Sequence, residues 1–125
     1  MAKRLYGLRG ATGAANTKES VQAGVTKMCR RLFAENGLAA QDIVSVHFTL
    51  TSDLTALNPA FALRCGDVGI DVSSCALFTS QEAAVEGAPS GVVRVLVHAY
   101  LEDGVSPRHV YVNGAEKLRP DFVRK

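Results

Sequence analysis

Three charged residues in this 125-residue chain stand at positions where they could bind a small polar ligand: two arginines that suit an anionic group and one glutamate that can accept a hydrogen bond. Arg94 lies within residues 91–100, a Val- and Leu-rich run with the composition of a buried β-strand. A guanidinium keeps its charge there, so it must be paired, reach solvent or face a site that receives an anion. Arg9 ends a predicted first strand, and Glu82 precedes a loop interrupted by Gly and Pro. Taken singly, each is equally compatible with a solvated or salt-bridged side chain.

The composition indicates one soluble globular domain, since 47% of residues are hydrophobic and 21% charged. A net charge of +2 is too small to indicate nucleic acid or an anionic membrane as a partner. Cys29, Cys65 and Cys75 are too few and too scattered for a disulfide framework or a zinc site. The odd cysteine count and the lack of an apolar N-terminal signal predict a cytoplasmic protein without a membrane span.

Hydrophobic periodicity predicts the elements that would position these charges. Alternation and turn residues predict strands at 4–10, 43–51, 76–79, 91–100 and 109–112. Helical spacing of apolar residues predicts a long helix at 16–36. A helical turn is expected at 39–42, and Asn58 followed by Pro59 predicts a short helix at 59–65. Asn16 with Glu19 is expected to cap the long helix, and Asn58 the short one.

The second predicted strand alternates clearly between apolar and polar residues. The inward set is expected to be Val44, Val46, Phe48 and Leu50, and the outward set Ser45, His47, Thr49 and Thr51. His47 is therefore expected to face solvent or a subunit contact, and it is assigned no catalytic role.

The element order predicts an α+β domain with a mixed sheet and one long and one short helix packed on one face. The domain spans residues 1–125, with a loose tail from about residue 119. Because two helices cover only one face, the other face is expected to be covered by self-association. A cyclic oligomer with sites between subunits is the expected result.

Seven short motifs, taken in order, resemble the AroH-type chorismate mutases, the small α+β class of monofunctional enzymes. They are R-G-A-T at 9–12, S-D-L at 52–54, P-A…R at 59–64, Q-E at 81–82, V-R-V-L at 93–96, R-H-V-Y at 108–111 and L-R-P-D at 118–121. The twelve-residue interval from Glu82 to Arg94 and the seven-residue interval from Tyr111 to Leu118 add to the resemblance.

The resemblance implies a homotrimeric pseudo-α/β-barrel that rearranges chorismate to prephenate on the route to phenylalanine and tyrosine. This Claisen rearrangement needs no proton transfer, nucleophile, metal or cofactor. Catalysis must come from holding the substrate folded and from stabilising the charge that develops as the ether bond opens.

The family's residue roles carry over to positions in this chain. Arg94 corresponds to the arginine that contacts the ether oxygen and a carboxylate, and Glu82 to the carboxylate that accepts from the ring hydroxyl. Arg9 and Tyr111 correspond to residues that hold the side-chain carboxylate. The remaining substrate-binding positions are an arginine near the site entrance, apolar wall residues and a peripheral C-terminal arginine: Arg64, Ala60, Leu118 and Arg119.

Several positions depart from the family pattern. Asn58 stands where phenylalanine is usual, and Phe61 where lysine is common. The segment between Arg64 and Glu82 is about three residues longer than expected, so either Thr79 or Cys75 matches a cysteine that touches the ring hydroxyl. Thr79 is preferred because an insertion before the strand disturbs the fold less than a slipped register.

Two alternatives to a chorismate mutase remain on sequence grounds. One is a non-catalytic trimer of the same fold that binds a small carboxylate, which the missing aromatic at Asn58 favours. The other is an imine hydrolase of the Rid type, whose site also uses an arginine but which the Q-E and L-R-P-D motifs fit poorly. The fold alone does not distinguish these functions.

Overall fold

A computed structural model describes residues 2–123, with side chains up to Asp121. Its helices and strands are β1 (Lys3–Gly13), α1 (Lys18–Glu35), β2 (Ile43–Leu50), α2 (Pro59–Cys65), β3 (Ala76–Gln81), β4 (Val92–Glu102), β5 (Val110–Val112) and α3 (Pro120–Val123). Short 3₁₀ turns occur at Ala40–Asp42 and Ala115–Leu118. The tail predicted as loose carries α3 in its described part, and residues 124 and 125 lie outside the described residues.

Within residues 2–123, five strands form one mixed sheet in the order β3-β2-β4-β1-β5. The central pairs β2–β4 and β4–β1 are antiparallel, whereas β2–β3 and β1–β5 are parallel. The parallel pair β2–β3 requires a crossover, and α2 lies in that connection. The predicted fold class, a mixed sheet with one long and one short helix, is confirmed.

Strand β4 explains how the core and the charged residues are separated. Its residues Val93, Val95, Val97 and Ala99 are at most 4% exposed and face α1. The intervening residues point to the opposite face, because successive side chains of a strand alternate. Arg94 is thereby removed from the apolar core although its neighbours in sequence are buried.

Helix α1 covers the core face of the sheet with an apolar stripe. Its inward residues are Val21, Val25, Met28, Cys29, Leu32 and Phe33, all at most 1% exposed. The N-cap is Thr17, whose hydroxyl accepts from the backbone N–H of Ser20 at 3.0 Å. The predicted Asn16 cap is wrong, because the Asn16 carboxamide accepts from the backbone N–H groups of Thr55 and Ala56 instead.

A second difference from the sequence prediction lies at the start of β2. The β2–β4 register shifts between Ile43 and Ser45, so the alternation is interrupted there. Ile43 is buried and Val44 is 48% exposed, which makes the predicted inward position of Val44 wrong. Beyond the shift, Val46 and Phe48 are buried as predicted.

Within the described residues, the sheet face opposite α1, here called the open face, is covered at one end by a small cluster of Ala11, Val92, Tyr111, Ala115 and Leu118. Large apolar side chains are exposed on it: Leu5 (46%), Phe78 (65%), Leu96 (37%) and Tyr100 (44%). Among the described residues, no helix is both long and apolar enough to cross a bilayer.

Candidate active site

A pocket of about 410 Å³ lies on the open face of the sheet. This volume is within the range of sites that bind small molecules. Its lining comes from all five strands and from the segments after β3 and β5: Arg9, Gly10, His47, Thr49, Gln81, Glu82, Ala83, Arg94, Val95, Leu96, Tyr111 and Arg119. Five of the predicted site residues therefore line one cavity: Arg9, Glu82, Arg94, Tyr111 and Arg119.

The ion pair between Glu82 and Arg94 forms part of the pocket wall. Glu82 follows β3 directly, and its backbone N–H donates to the carbonyl of Leu50 at 2.8 Å, which extends the β2–β3 pairing by one residue. Thr49 and Arg94 are direct partners across β2 and β4. Glu82 Oε2 thus reaches Arg94 Nε at 2.9 Å by crossing over β2, and Thr49 donates its hydroxyl to Glu82 Oε1.

The contact between Glu82 and Arg94 is an ion pair rather than an aligned hydrogen bond. Arg94 Nε is buried but makes no hydrogen bond to another described residue, because its N–H does not point along the 2.9 Å line to the carboxylate. The side chain as a whole remains 36% exposed. Arg94 therefore keeps donor capacity for a ligand in the pocket.

Strand β1 brings Arg9, Arg94 and Tyr111 together because it pairs with both β4 and β5. Ala11 is the partner of Arg94 on one side and of Tyr111 on the other, and Arg9 lies two residues before Ala11, on the same face of β1. Burial raises the pKa of the Tyr111 phenol, although Arg119, Arg9 and Arg94 oppose the rise. Tyr111 is thus a neutral hydroxyl at physiological pH, able to donate a hydrogen bond to an anion.

His109 contacts the backbone of Arg9 and so supports the same part of the site. Its Nδ1 accepts the backbone N–H of Arg9 at 3.0 Å, which requires that nitrogen to be unprotonated. Burial lowers the pKa of His109, and the charges of Arg9 and Arg119 lower it further, while Asp121 raises it. A neutral His109 thus fixes the backbone from which the Arg9 side chain extends.

Arg119 closes the C-terminal side of the pocket. Its Nε and Nη2 donate to the two carboxylate oxygens of Asp121 at 3.1 and 2.7 Å. This two-pronged pair sets the orientation of the Arg119 guanidinium.

His47 and Thr49 line the pocket although the sequence interpretation assigned neither of them a role in the site. His47 lies on the outward face of β2, as expected, and its Nε2 is 3.0 Å from Ser80 Oγ. Strand alternation already put His47 and Thr49 on one face. What the sequence did not reveal was that β4, with Arg94, is the neighbour of β2.

A second group of predicted site residues lies away from this pocket, at the β3 edge of the sheet. Thr79 donates its hydroxyl to Asn58 Oδ1 at 2.9 Å, and the same oxygen accepts the backbone N–H of Ala60. The guanidinium of Arg64 lies 5.6 Å from the ring centroid of the exposed Phe61. These five residues form one cluster on α2 and β3, here called the α2 cluster.

Two further positions are placed by the structure. Leu118 packs against the small apolar cluster that contains Ala11, Tyr111 and Ala115, outside the pocket lining. Cys75 precedes β3 and is half-buried, with a pKa raised by burial and by Asp71. Within the described residues, no group of three or more His, Cys, Asp or Glu side chains is placed to hold a metal ion.

Comparison with known proteins agrees with this architecture. The family model for chorismate mutase type I matches residues 5–122. Two AroH chorismate mutases are similar over nearly their full length. That of Thermus thermophilus is 33% identical over 93% of this chain and 94% of its own, and that of Bacillus subtilis 30% identical over 94% and 92%.

The solved structure of a chorismate mutase from Clostridium thermocellum superposes with a TM-score of 0.80. It is 36% identical in sequence and is matched over 90% of this chain and 98% of its own. The chain belongs to the chorismate mutase type I family. The resemblance read from the seven motifs is confirmed, and with it the assignment of the chain as a chorismate mutase.

Proposed function

We propose that this enzyme rearranges chorismate to prephenate in the open-face pocket, with Arg94 and Glu82 as the residues that act on the reacting groups. The observation that carries the proposal is the ion pair that Arg94 makes with Glu82 in the pocket lining while the Arg94 side chain stays 36% exposed. A guanidinium held this way can donate to an ether oxygen as that oxygen becomes negative.

The charge balance of the pocket suits a dicarboxylate. Among its described lining residues, the arginines Arg9, Arg94 and Arg119 face one carboxylate, that of Glu82. Asp121, outside the lining, is paired with Arg119, so the pocket keeps a smaller net positive charge that the carboxylates of chorismate would offset, and Tyr111 adds a neutral donor. We assign Arg9 and Tyr111 to the side-chain carboxylate and Arg119 to the edge of the site.

The roles of the pocket residues follow from the charges that develop on the substrate during the reaction. The ether oxygen becomes more negative and the ring more positive as the C–O bond opens. Arg94 beside the oxygen and Glu82 beside the ring hydroxyl therefore bind the transition state better than the substrate, which raises kcat. Arg9 and Tyr111 hold the enolpyruvyl chain folded over the ring, which lowers the entropic part of the barrier.

We further propose that each site is completed by an adjacent subunit of a homotrimer. Two features support this: the α2 cluster lies apart from the pocket on the same chain, and the open face carries exposed apolar side chains such as Phe78 and Leu96. If the α2 cluster of one subunit meets the pocket of the next, then Arg64, Thr79 and the residues around them become the second wall of the site.

The same proposal places the enzyme in the cytoplasm. Its three cysteines are all free in the structure, which is compatible with a reducing compartment.

The direct test is to mix purified protein with chorismate and to follow its loss together with the appearance of prephenate by chromatography. We expect strong acceleration over buffer. Binding of chorismate without turnover would identify a non-catalytic carboxylate-binding protein instead. Hydrolysis of an imine substrate in place of chorismate turnover would identify an imine hydrolase.

A further inference from the structure

The carboxylate of Glu82 reaches Arg94, its ion-pair partner, across an intervening strand. Glu82 follows β3, and Arg94 lies two strands away on β4, with β2 between them. The side chain must therefore cross over β2 to bring Oε2 to 2.9 Å from Arg94 Nε. A carboxylate in this position could turn about its terminal torsion, because that torsion is broad in glutamate.

Thr49 lies on β2 directly under this crossing. It is the register partner of Arg94, and its hydroxyl donates to Glu82 Oε1. One carboxylate oxygen is thus held by the threonine and the other faces Arg94. Because Thr49 holds Oε1 toward β2, the carboxylate presents one oxygen to Arg94 instead of the two-pronged pair that arginine and carboxylate otherwise favour.

We propose that Thr49 is a positioning residue of the rearrangement site, which acts by orienting the Glu82 carboxylate and by keeping Arg94 available to the substrate. The inference rests on the proposed roles of Glu82 and Arg94 and adds to them the group that sets their geometry. Without the hydroxyl, Glu82 rotates into a two-pronged pair with Arg94, and the guanidinium then has fewer donors to offer the ether oxygen.

The variant that tests this is Thr49→Val, which preserves the shape of the side chain and removes the hydroxyl. Loss of one hydrogen bond to a charged group predicts a fall of about tenfold in kcat. KM is expected to change by less than about threefold, because Arg9 and Tyr111 still bind the side-chain carboxylate. Thr49→Ser restores the donor and is expected to recover most of the loss.

A double-mutant cycle separates positioning from a merely structural effect. If Thr49 acts through Glu82, then Thr49→Val has little further effect on kcat in a Glu82→Gln enzyme. The matched control is Ser45→Ala, which removes another hydroxyl from the same face of β2, one that contacts His98 outside the pocket. It is expected to leave kcat unchanged, and thermal melting of every variant checks the fold.

Three results would overturn the inference: an unchanged kcat in folded Thr49→Val, no recovery in Thr49→Ser, or full additivity with Glu82→Gln. If Thr49→Val does not fold, Thr49→Ala carries the same test. A wild-type enzyme that does not turn over chorismate would contradict the proposed function itself. In that event, calorimetric titration with a bicyclic dicarboxylate ether still decides the role of Thr49, since about tenfold weaker binding by Thr49→Val is expected and equal binding would contradict it.

Discussion

Arg94 shows how one residue can carry a charge through an apolar strand. Its neighbours Val93 and Val95 are almost fully buried, yet its own side chain is 36% exposed because alternation turns it to the open face. Of the possibilities that the sequence left open, the structure combines two: Arg94 is paired with Glu82 and it faces a pocket. The same guanidinium can therefore be both held by the protein and offered to a ligand.

His109 leads to a prediction about pH. Its pKa lies below the ordinary value of 6.5 in the folded chain, so the unfolded chain binds more protons between the two pKa values. Stability is accordingly expected to rise with pH in that window, to be complete above about pH 6.5, and to fall as the pH drops through it. Urea unfolding at a series of pH values between about 5 and 8 measures this.

The matched variant is His109→Asn, whose carbonyl oxygen can still accept from the Arg9 backbone but does not titrate. It is expected to show a flatter dependence of unfolding free energy on pH across this window. His47 and His98 are present in both proteins, so their contributions cancel in the comparison. An identical pH dependence in the two proteins would show that His109 does not contribute.

At the scale of elements, the periodic segments were predicted well and the long-range contacts were not. Helix α1 follows from apolar spacing and strand β4 from its Val- and Leu-rich composition. Helix α2 follows from Asn58 and Pro59, and its Asn58 cap was predicted correctly. The cap of α1 was misassigned because Asn16 is engaged by Thr55 and Ala56, about forty residues away, and local sequence carries no signal of that contact. The orientation of Val44 was missed for a similar reason, since the register shift depends on pairing with β4.

Asn58 illustrates how an element and a site are joined. Its side-chain oxygen accepts from Ala60 N, which caps α2, and from Thr79 Oγ1, which ties the helix to β3. This double role gives a physical reason for asparagine at a position where the family usually has phenylalanine. Within the single chain, the Thr79 hydroxyl accordingly donates to Asn58.

We expect Asn58→Ala to destabilise the fold by about 1 kcal/mol through loss of the helix cap. Asn58→Asp retains the oxygen and is expected to cost much less, because aspartate is an equally good N-cap. Urea unfolding of the two variants beside the wild type measures the difference. Equal stability of Asn58→Ala and the wild type would show that the cap contributes nothing.

At the scale of the whole molecule, the predicted site residues other than Leu118 fall into two groups on one chain. The pocket holds Arg9, Glu82, Arg94, Tyr111 and Arg119, and the α2 cluster holds the residues of α2 and β3. The sequence indicated that the uncovered sheet face would need a partner, and the exposed open face agrees with that expectation. The residues that meet across subunits depend on how the subunits assemble. The hydrophobic periodicity of one chain does not predict them.

Subunit sharing predicts complementation between two defective variants. Arg94→Ala removes the pocket arginine that pairs with Glu82, and Arg64→Ala removes the arginine of the α2 cluster. In trimers that mix the two, an interface formed by the pocket of an Arg64→Ala subunit and the α2 cluster of an Arg94→Ala subunit is intact. With random mixing, roughly a quarter of the interfaces are intact, because an intact interface needs an Arg64→Ala subunit on its pocket side and an Arg94→Ala subunit on its α2-cluster side.

The measurement compares chorismate turnover by co-expressed, co-purified variants with that of each variant alone. Activity well above both single variants is expected. As a control, the two purified variants are assayed immediately after mixing, before subunits can exchange, and should show no gain. Turnover in the co-expressed sample that merely equals the average of the two variants would show that each site lies within one subunit.

The central claim is that Arg94 stabilises the transition state of chorismate rearrangement. Its most direct test is the kcat of Arg94→Ala in a folded enzyme, measured beside Thr79→Val, which removes a hydroxyl that contacts Asn58 outside the pocket. We predict a fall in kcat of more than about a hundredfold for Arg94→Ala and a much smaller loss for Thr79→Val. Near-normal turnover by Arg94→Ala would contradict the account and reduce Arg94 to a structural partner of Glu82.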